Sequence, residues 1–132
     1  FVTFGGSPLP LPILHASTAL WNDDEHVAEN RSYYAKNFRI AEEILKPYGG
    51  VSVPQAGFFL WLNVGDGIAA SKKLWQENAI KTVPGELMAR AGPGNENPGK
   101  KYLRLALVYD ADTTKFGLQQ VVKTLRMSPT GF

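Results

Sequence analysis

Alternation of apolar and polar positions marks out a small set of elements. Tyr102-Leu103-Arg104-Leu105-Ala106-Leu107-Val108 reads as a strand. Its period of two sets Leu103, Leu105 and Leu107 on one face and Tyr102, Arg104, Ala106 and Val108 on the other. Gly57 to Val64 predicts a second strand, apolar at almost every position, as in a central strand covered on both faces. Val51 to Val53 and Ala79 to Val83 are shorter candidates, broken by Pro54 and stopped by Pro84-Gly85 respectively. Helical spacing runs through Val27, Tyr34, Phe38, Ala41, Ile44 and Leu45. Asn22-Asp23-Asp24-Glu25 opens this helix, with Asn22 as cap and Glu25 at the capping-box position, and Pro47 with Gly49-Gly50 ends it. Another helix follows Gly65-Asp66-Gly67, capped by Asp66, and runs to about Asn78 with Ile68, Leu74 and Trp75 inward. A last one carries Leu118, Val121, Val122 and Leu125 behind an Asp112 cap. At the start, Pro8, Pro10 and Pro12 force an extended path, followed by a short helical piece from Ile13 to Trp21. Residues 89–101, rich in Gly and Pro, predict a mobile loop, and 128–132 a frayed tail.

The order helix, strand, strand, helix, strand, strand, helix, joined by short loops, predicts an α+β fold. A small, mostly antiparallel or mixed sheet has helices packed on it. The length of 132 residues implies a single domain over 1–132, and 44% hydrophobic residues suffice for a core. The chain opens on Phe1-Val2-Thr3-Phe4, an apolar stretch without a methionine. It is therefore expected to be a piece of a longer protein.

Charge and composition remove several function classes. A net charge of +2, with no Lys/Arg cluster beyond Lys72-Lys73 and Lys100-Lys101, argues against a nucleic-acid surface. With no cysteine, disulfides, thiolate metal sites and a cysteine nucleophile are excluded. His15 and His26 are too few for a histidine-based metal site without carboxylate help. No apolar run approaches the roughly 18 residues of a membrane span, and no signal peptide is visible, so a cytoplasmic location is expected. There is no nucleophile elbow and no phosphate loop. Ser71-Lys72-Lys73 and the His26/Glu29 pair fall on polar helix faces and read as solvated surface.

Arg104 is the residue that asks for chemistry. A guanidinium among Tyr, Leu, Ala and Val neighbours is costly unless an anion meets it. Two readings stand side by side. Its fork captures a planar carboxylate of a ligand, or it is a structural cation, paired within the fold to an acid such as Asp110 or Asp112.

Three segments together resemble a known family. They are Pro54-Gln55-Ala56-Gly57-Phe58-Phe59-Leu60-Trp61-Leu62, Leu74-Trp75 with Val83-Pro84-Gly85, and Tyr102-Leu103-Arg104-Leu105-Ala106-Leu107. Their order and spacing resemble the C-terminal small domain of class I/II, fold-type I aminotransferases, over about Gly5 to Leu125. The opening segments Ser7 to Pro12, His15-Ala16-Ser17, Trp21-Asn22-Asp23, His26-Val27 and Glu29-Asn30-Arg31 are similar to the succinyldiaminopimelate aminotransferase branch.

The resemblance implies that Arg104 binds the α-carboxylate of the substrate. The intact enzyme would use pyridoxal 5'-phosphate to move an amino group between N-succinyl-LL-2,6-diaminopimelate and the 2-oxoglutarate/glutamate pair, in lysine biosynthesis. It would work as a homodimer, with a large cofactor-binding domain upstream and residues 1–21 as the connecting segment. The family's Schiff-base lysine, the aspartate facing the pyridine nitrogen and the phosphate-binding groups have no counterpart in this chain. Taken alone it is expected to have no catalytic residue, to bind no cofactor and to be inactive. A stand-alone module that binds a small carboxylate without catalysis is the alternative reading.

Overall fold

The computed structural model describes residues 9–49, 52–94 and 96–126. The expectations for 1–8, Val51 and 128–132 lie outside them. The chain divides into two compact units, Phe1–Tyr33 and Tyr34–Phe132.

The first unit holds helix α1, Leu11–Trp21, and the opening turns of helix α2, Glu25–Leu45. Pro10 precedes α1 and Pro12 sits in its first turn, where a missing N–H costs nothing. Asn22, expected to open α2, instead closes α1, its backbone N–H donating to Thr18 O at 3.2 Å while Asp23 N–H donates to Leu20 O at 3.3 Å. Asp23 takes over the start of α2, where its Oδ1 accepts from the N–H groups of Glu25, at 3.0 Å, and His26, at 3.4 Å.

In the second unit, the remainder of α2, helix α3 (Gly67–Asn78) and helix α4 (Ala111–Thr124) bury their apolar stripes in one core. That core includes Phe38, Ala41 and Leu45 of α2, Leu74 of α3, and Leu118 and Val121 of α4. It continues into one face of a three-stranded antiparallel sheet made of β1 (Phe59–Asn63), β2 (Val83–Pro84) and β3 (Tyr102–Ala106), in the order β1-β3-β2. The expected α+β architecture is the observed one. Leu103, Leu105 and Leu107 are all buried, as their alternation required.

Other expectations change as well. Trp75 is 58% exposed, because it lies about 100° around the helix from Leu74, which takes the inward position. The run Ala79–Val83 pairs only at its end. Ala79 closes α3 in a left-handed conformation (φ 55°), and the segment that follows stands off from β3 across a cleft of about 350 Å³. Residues 52–54 form no strand. The last helix is capped by Asp110, not Asp112, since Asp110 Oδ1 accepts from Thr113 N–H at 2.9 Å and its Oδ2 from Thr113 Oγ1 at 2.7 Å.

Those two bonds hold the Asp110 carboxyl below the usual carboxylate range. A depressed folded-state pKa means the cap stabilises α4 above the ordinary carboxylate range and is lost as pH falls through the depressed value. The protection of the Thr113 amide relative to its intrinsic exchange rate is therefore expected to fall as pH drops through that depressed value, and Asp110→Asn should flatten that dependence.

Asn37 ties α2 to the exit of β3. It is 1% exposed, and its Nδ2 donates to Leu107 O at 2.9 Å and to Tyr109 O at 2.8 Å. Asn37→Ala leaves two carbonyls without this donor and is expected to cost about 2 kcal/mol in urea unfolding. A loss under about 0.5 kcal/mol would show that water replaces the amide there.

Candidate functional site

β3 is the central strand, so Arg104 has a neighbour on each side: Trp61 of β1 and Val83 of β2. Residues opposite one another share a face. The side away from the leucines therefore presents Phe59, Trp61, Asn63, Tyr102 and Arg104 together. Leu60 and Leu62 are each 1% exposed while Trp61 between them is 45% exposed. β1 is thus an edge strand with one face covered, not a central strand covered on both. Its apolar residues on the open side are aromatic, and they make a surface.

Arg104 is half-buried in that surface. Its guanidinium carbon lies over the Phe59 ring, 4.2 Å from the centroid. Phe59 sits diagonally across from it, opposite Ala106. Behind Phe59 the rings continue, with Phe58 at 4.1 Å and then Tyr34 of α2 at 5.4 Å from Phe58. Among the described residues no carboxylate lies within ion-pair distance of Arg104 and no acceptor takes its side-chain N–H groups. Asp110 is committed to Thr113, and Asp112 lies in the first turn of α4. The structural reading, with Arg104 held by one of these two acids, is not what the fold contains. Phe59 shields the charge while leaving the forked donors unspent.

Trp61 and Tyr102 meet edge to face, 6.3 Å between centroids, and wall two open hollows. One, of about 730 Å³, runs along Pro54, Gly57, Phe58 and Phe59. The other, of about 420 Å³, is floored by Gly85 and Gly99 and edged by Met88 and Pro98. The floor is backbone because the two glycines touch. A Cβ on Gly85 would come within 2.6 Å of Gly99 O and 2.8 Å of Trp61 Cζ3. The 89–101 loop is held beside this floor by Asn97, whose Nδ2 donates to Glu86 O and Ala89 O and whose Oδ1 accepts from Gly99 N–H.

The remaining candidates are placed elsewhere. Ser71 exchanges hydrogen bonds with Thr82, at 3.0 Å between hydroxyls, and braces α3 against the approach to β2. His26 Nδ1 is 3.1 Å from Asp23 Oδ2 but out of hydrogen-bond alignment with it. His15 is exposed on α1. Among the described residues no cluster of His, Asp and Glu could hold a metal. No lysine among them is buried, and none is paired with a buried acid.

No protein-family model matches the chain. Solved structures do. An aminotransferase from Neisseria meningitidis Z2491 is 38% identical and superposes with a TM-score of 0.84 over 92% of this chain and 31% of its own. The fold matches an aminotransferase small domain. Aminotransferase AspB from Helicobacter pylori 26695 follows the same small-domain fold at 32% identity and a TM-score of 0.72, over 84% of this chain and 28% of its own. LysN, an α-aminoadipate aminotransferase from Thermus thermophilus solved with N-(5'-phosphopyridoxyl)-L-leucine, shares the fold at 18% identity, with a TM-score of 0.65 over 78% of this chain and 27% of its own. Among curated proteins, 4-dedimethylamino-4-oxo-anhydrotetracycline transaminase OxyQ of Streptomyces rimosus is 28% identical over 102 residues, 76% of this chain and 26% of that protein. The chain thus spans less than a third of each protein it matches here.

Proposed function

We propose that this chain is the substrate-clamping small domain of an aminotransferase, and that Arg104 takes the carboxylate of the amino acid and of the 2-oxo acid. The observation that carries this is Arg104 itself, a half-buried cation at the centre of an open aromatic face, shielded by Phe59 with its donors taken by none of the described residues. A planar carboxylate fits the guanidinium fork with two parallel charge-assisted bonds. Such a clamp fixes which substituent of the α-carbon faces the reacting group, which is how positioning lowers a barrier.

The aminotransferases of similar fold, one carrying a phosphopyridoxyl ligand, support a dependence on pyridoxal phosphate in the full-length protein. That cofactor supplies the electron sink for amino transfer, and its pocket belongs to residues beyond this chain. For the substrate we propose N-succinyl-LL-2,6-diaminopimelate with 2-oxoglutarate, hence a role in lysine biosynthesis; the resemblance of the opening segments supports it. A homodimer, contact with a large domain of the same protein and a cytoplasmic location belong to the same proposal. Among the described residues no helix is long and apolar enough to cross a membrane.

The test is an assay of the full-length protein with pyridoxal phosphate, 2-oxoglutarate and a panel of amino donors that includes the succinylated one. Glutamate formation from that donor is expected. Transfer from other donors alone would replace the substrate, and no transfer from any donor would leave a carboxylate-binding module.

A further inference from the structure

Phe59 fills a position the resemblance leaves without a role, and its geometry is specific. The ring lies under the Arg104 guanidinium carbon at 4.2 Å and is packed by Phe58 at 4.1 Å, which in turn meets Tyr34 at 5.4 Å. A side chain as long as arginine otherwise samples many rotamers, and freezing it on binding weakens the clamp. An ionic partner could hold it, but that partner would occupy the N–H groups a ligand needs. A ring face attracts the cation through its quadrupole and uses none of them.

We infer that Phe59 is a positioning residue, holding the Arg104 guanidinium in its carboxylate-receiving pose before substrate arrives, with Phe58 packed on the ring and Tyr34 on Phe58. This rests on the carboxylate-clamp reading above and adds to it the means by which the clamp is preorganised. Both β1 and β3 contribute, because Phe59 and Arg104 are diagonal neighbours only in the observed register, Phe59 opposite Ala106 and Trp61 opposite Arg104.

The experiment uses the full-length protein carrying Phe59→Leu or Phe59→Tyr. Phe59→Leu is expected to raise KM for amino acid and oxo acid alike by about tenfold, with kcat within about twofold. Phe59→Tyr, which keeps the ring face, should restore both. A second readout needs no activity. In protein labelled with ¹⁵N-arginine, the Arg104 Nε–H signal, assigned by its loss in Arg104→Lys, should be displaced by the ring current and return to the free-arginine position in Phe59→Leu. An unchanged KM, or a fall in kcat alone, overturns the inference. If the wild-type protein transfers no amino group, the functional reading fails and the signal decides. A displaced resonance upholds the positioning and a free-arginine resonance ends it. Phe59→Met carries the same comparison if the leucine variant does not fold.

Discussion

Arg104→Lys in the full-length protein is expected to lower kcat/KM for both the amino acid and the oxo acid by about a hundredfold, although the charge is kept. The size follows from what the lysine cannot do. Each hydrogen bond from a charged donor to a carboxylate contributes about 1.5–3 kcal/mol, and the fork makes two in one plane, where an ammonium makes one well and holds no orientation. A cation with a shorter and more strongly hydrated head also loses its seat over Phe59. The measurement is steady-state kinetics with each substrate varied separately. A loss confined to one substrate would mean that Arg104 touches only that one, and no loss would remove it from the site.

Gly99→Ala is expected to destabilise the fold by about 3 kcal/mol, near the top of the range for overpacked positions. A Cβ there runs into the carbonyl carbon and oxygen of Gly85, and backbone cannot rotate aside as a side chain does. Gly85 follows directly on β2, and Gly99 accepts a bond from Tyr102 N–H at 3.0 Å as the chain enters β3. The strain therefore spreads into both strands. Urea unfolding should show the loss with an unchanged slope. Gly94→Ala, where nothing lies near the added methyl, should lie within about 0.5 kcal/mol of wild type.

Much of the fold was legible because burial and period coincide in it. Leu103, Leu105 and Leu107 alternate with polar or small residues, so their inward face could be read without knowing their partners. The sidedness of β1 could not be read the same way. Phe59 and Trp61 are as apolar as Leu60 and Leu62, and only the packing of helices on one side separates them. The caps failed for a related reason. Asp110 and Asp112 are equally good N-cap residues, and the choice depends on where Thr113 N–H arrives, a matter set by the packed helix and not by the residue type. Arg104 was found because a lone guanidinium in an apolar strand violates its surroundings. Phe59 was missed as its partner, since a diagonal contact exists only once the register of two distant strands is set. The meeting of Gly85 and Gly99 had no signal beyond two glycines in turn-like contexts.

The split between the two sides of β1 and β3 has a further consequence for how such a protein can change. Leu60, Leu62, Leu103 and Leu105 answer to the core, while Phe59, Trp61, Asn63, Tyr102 and Arg104 answer to whatever lies in front of the sheet. The two sets interleave residue by residue along the same strands, yet each occupies its own side of the backbone. On the clamp reading proposed above, ligand preference can drift on one set while the other keeps the chain folded, so a new specificity need not wait for a compensating stabiliser.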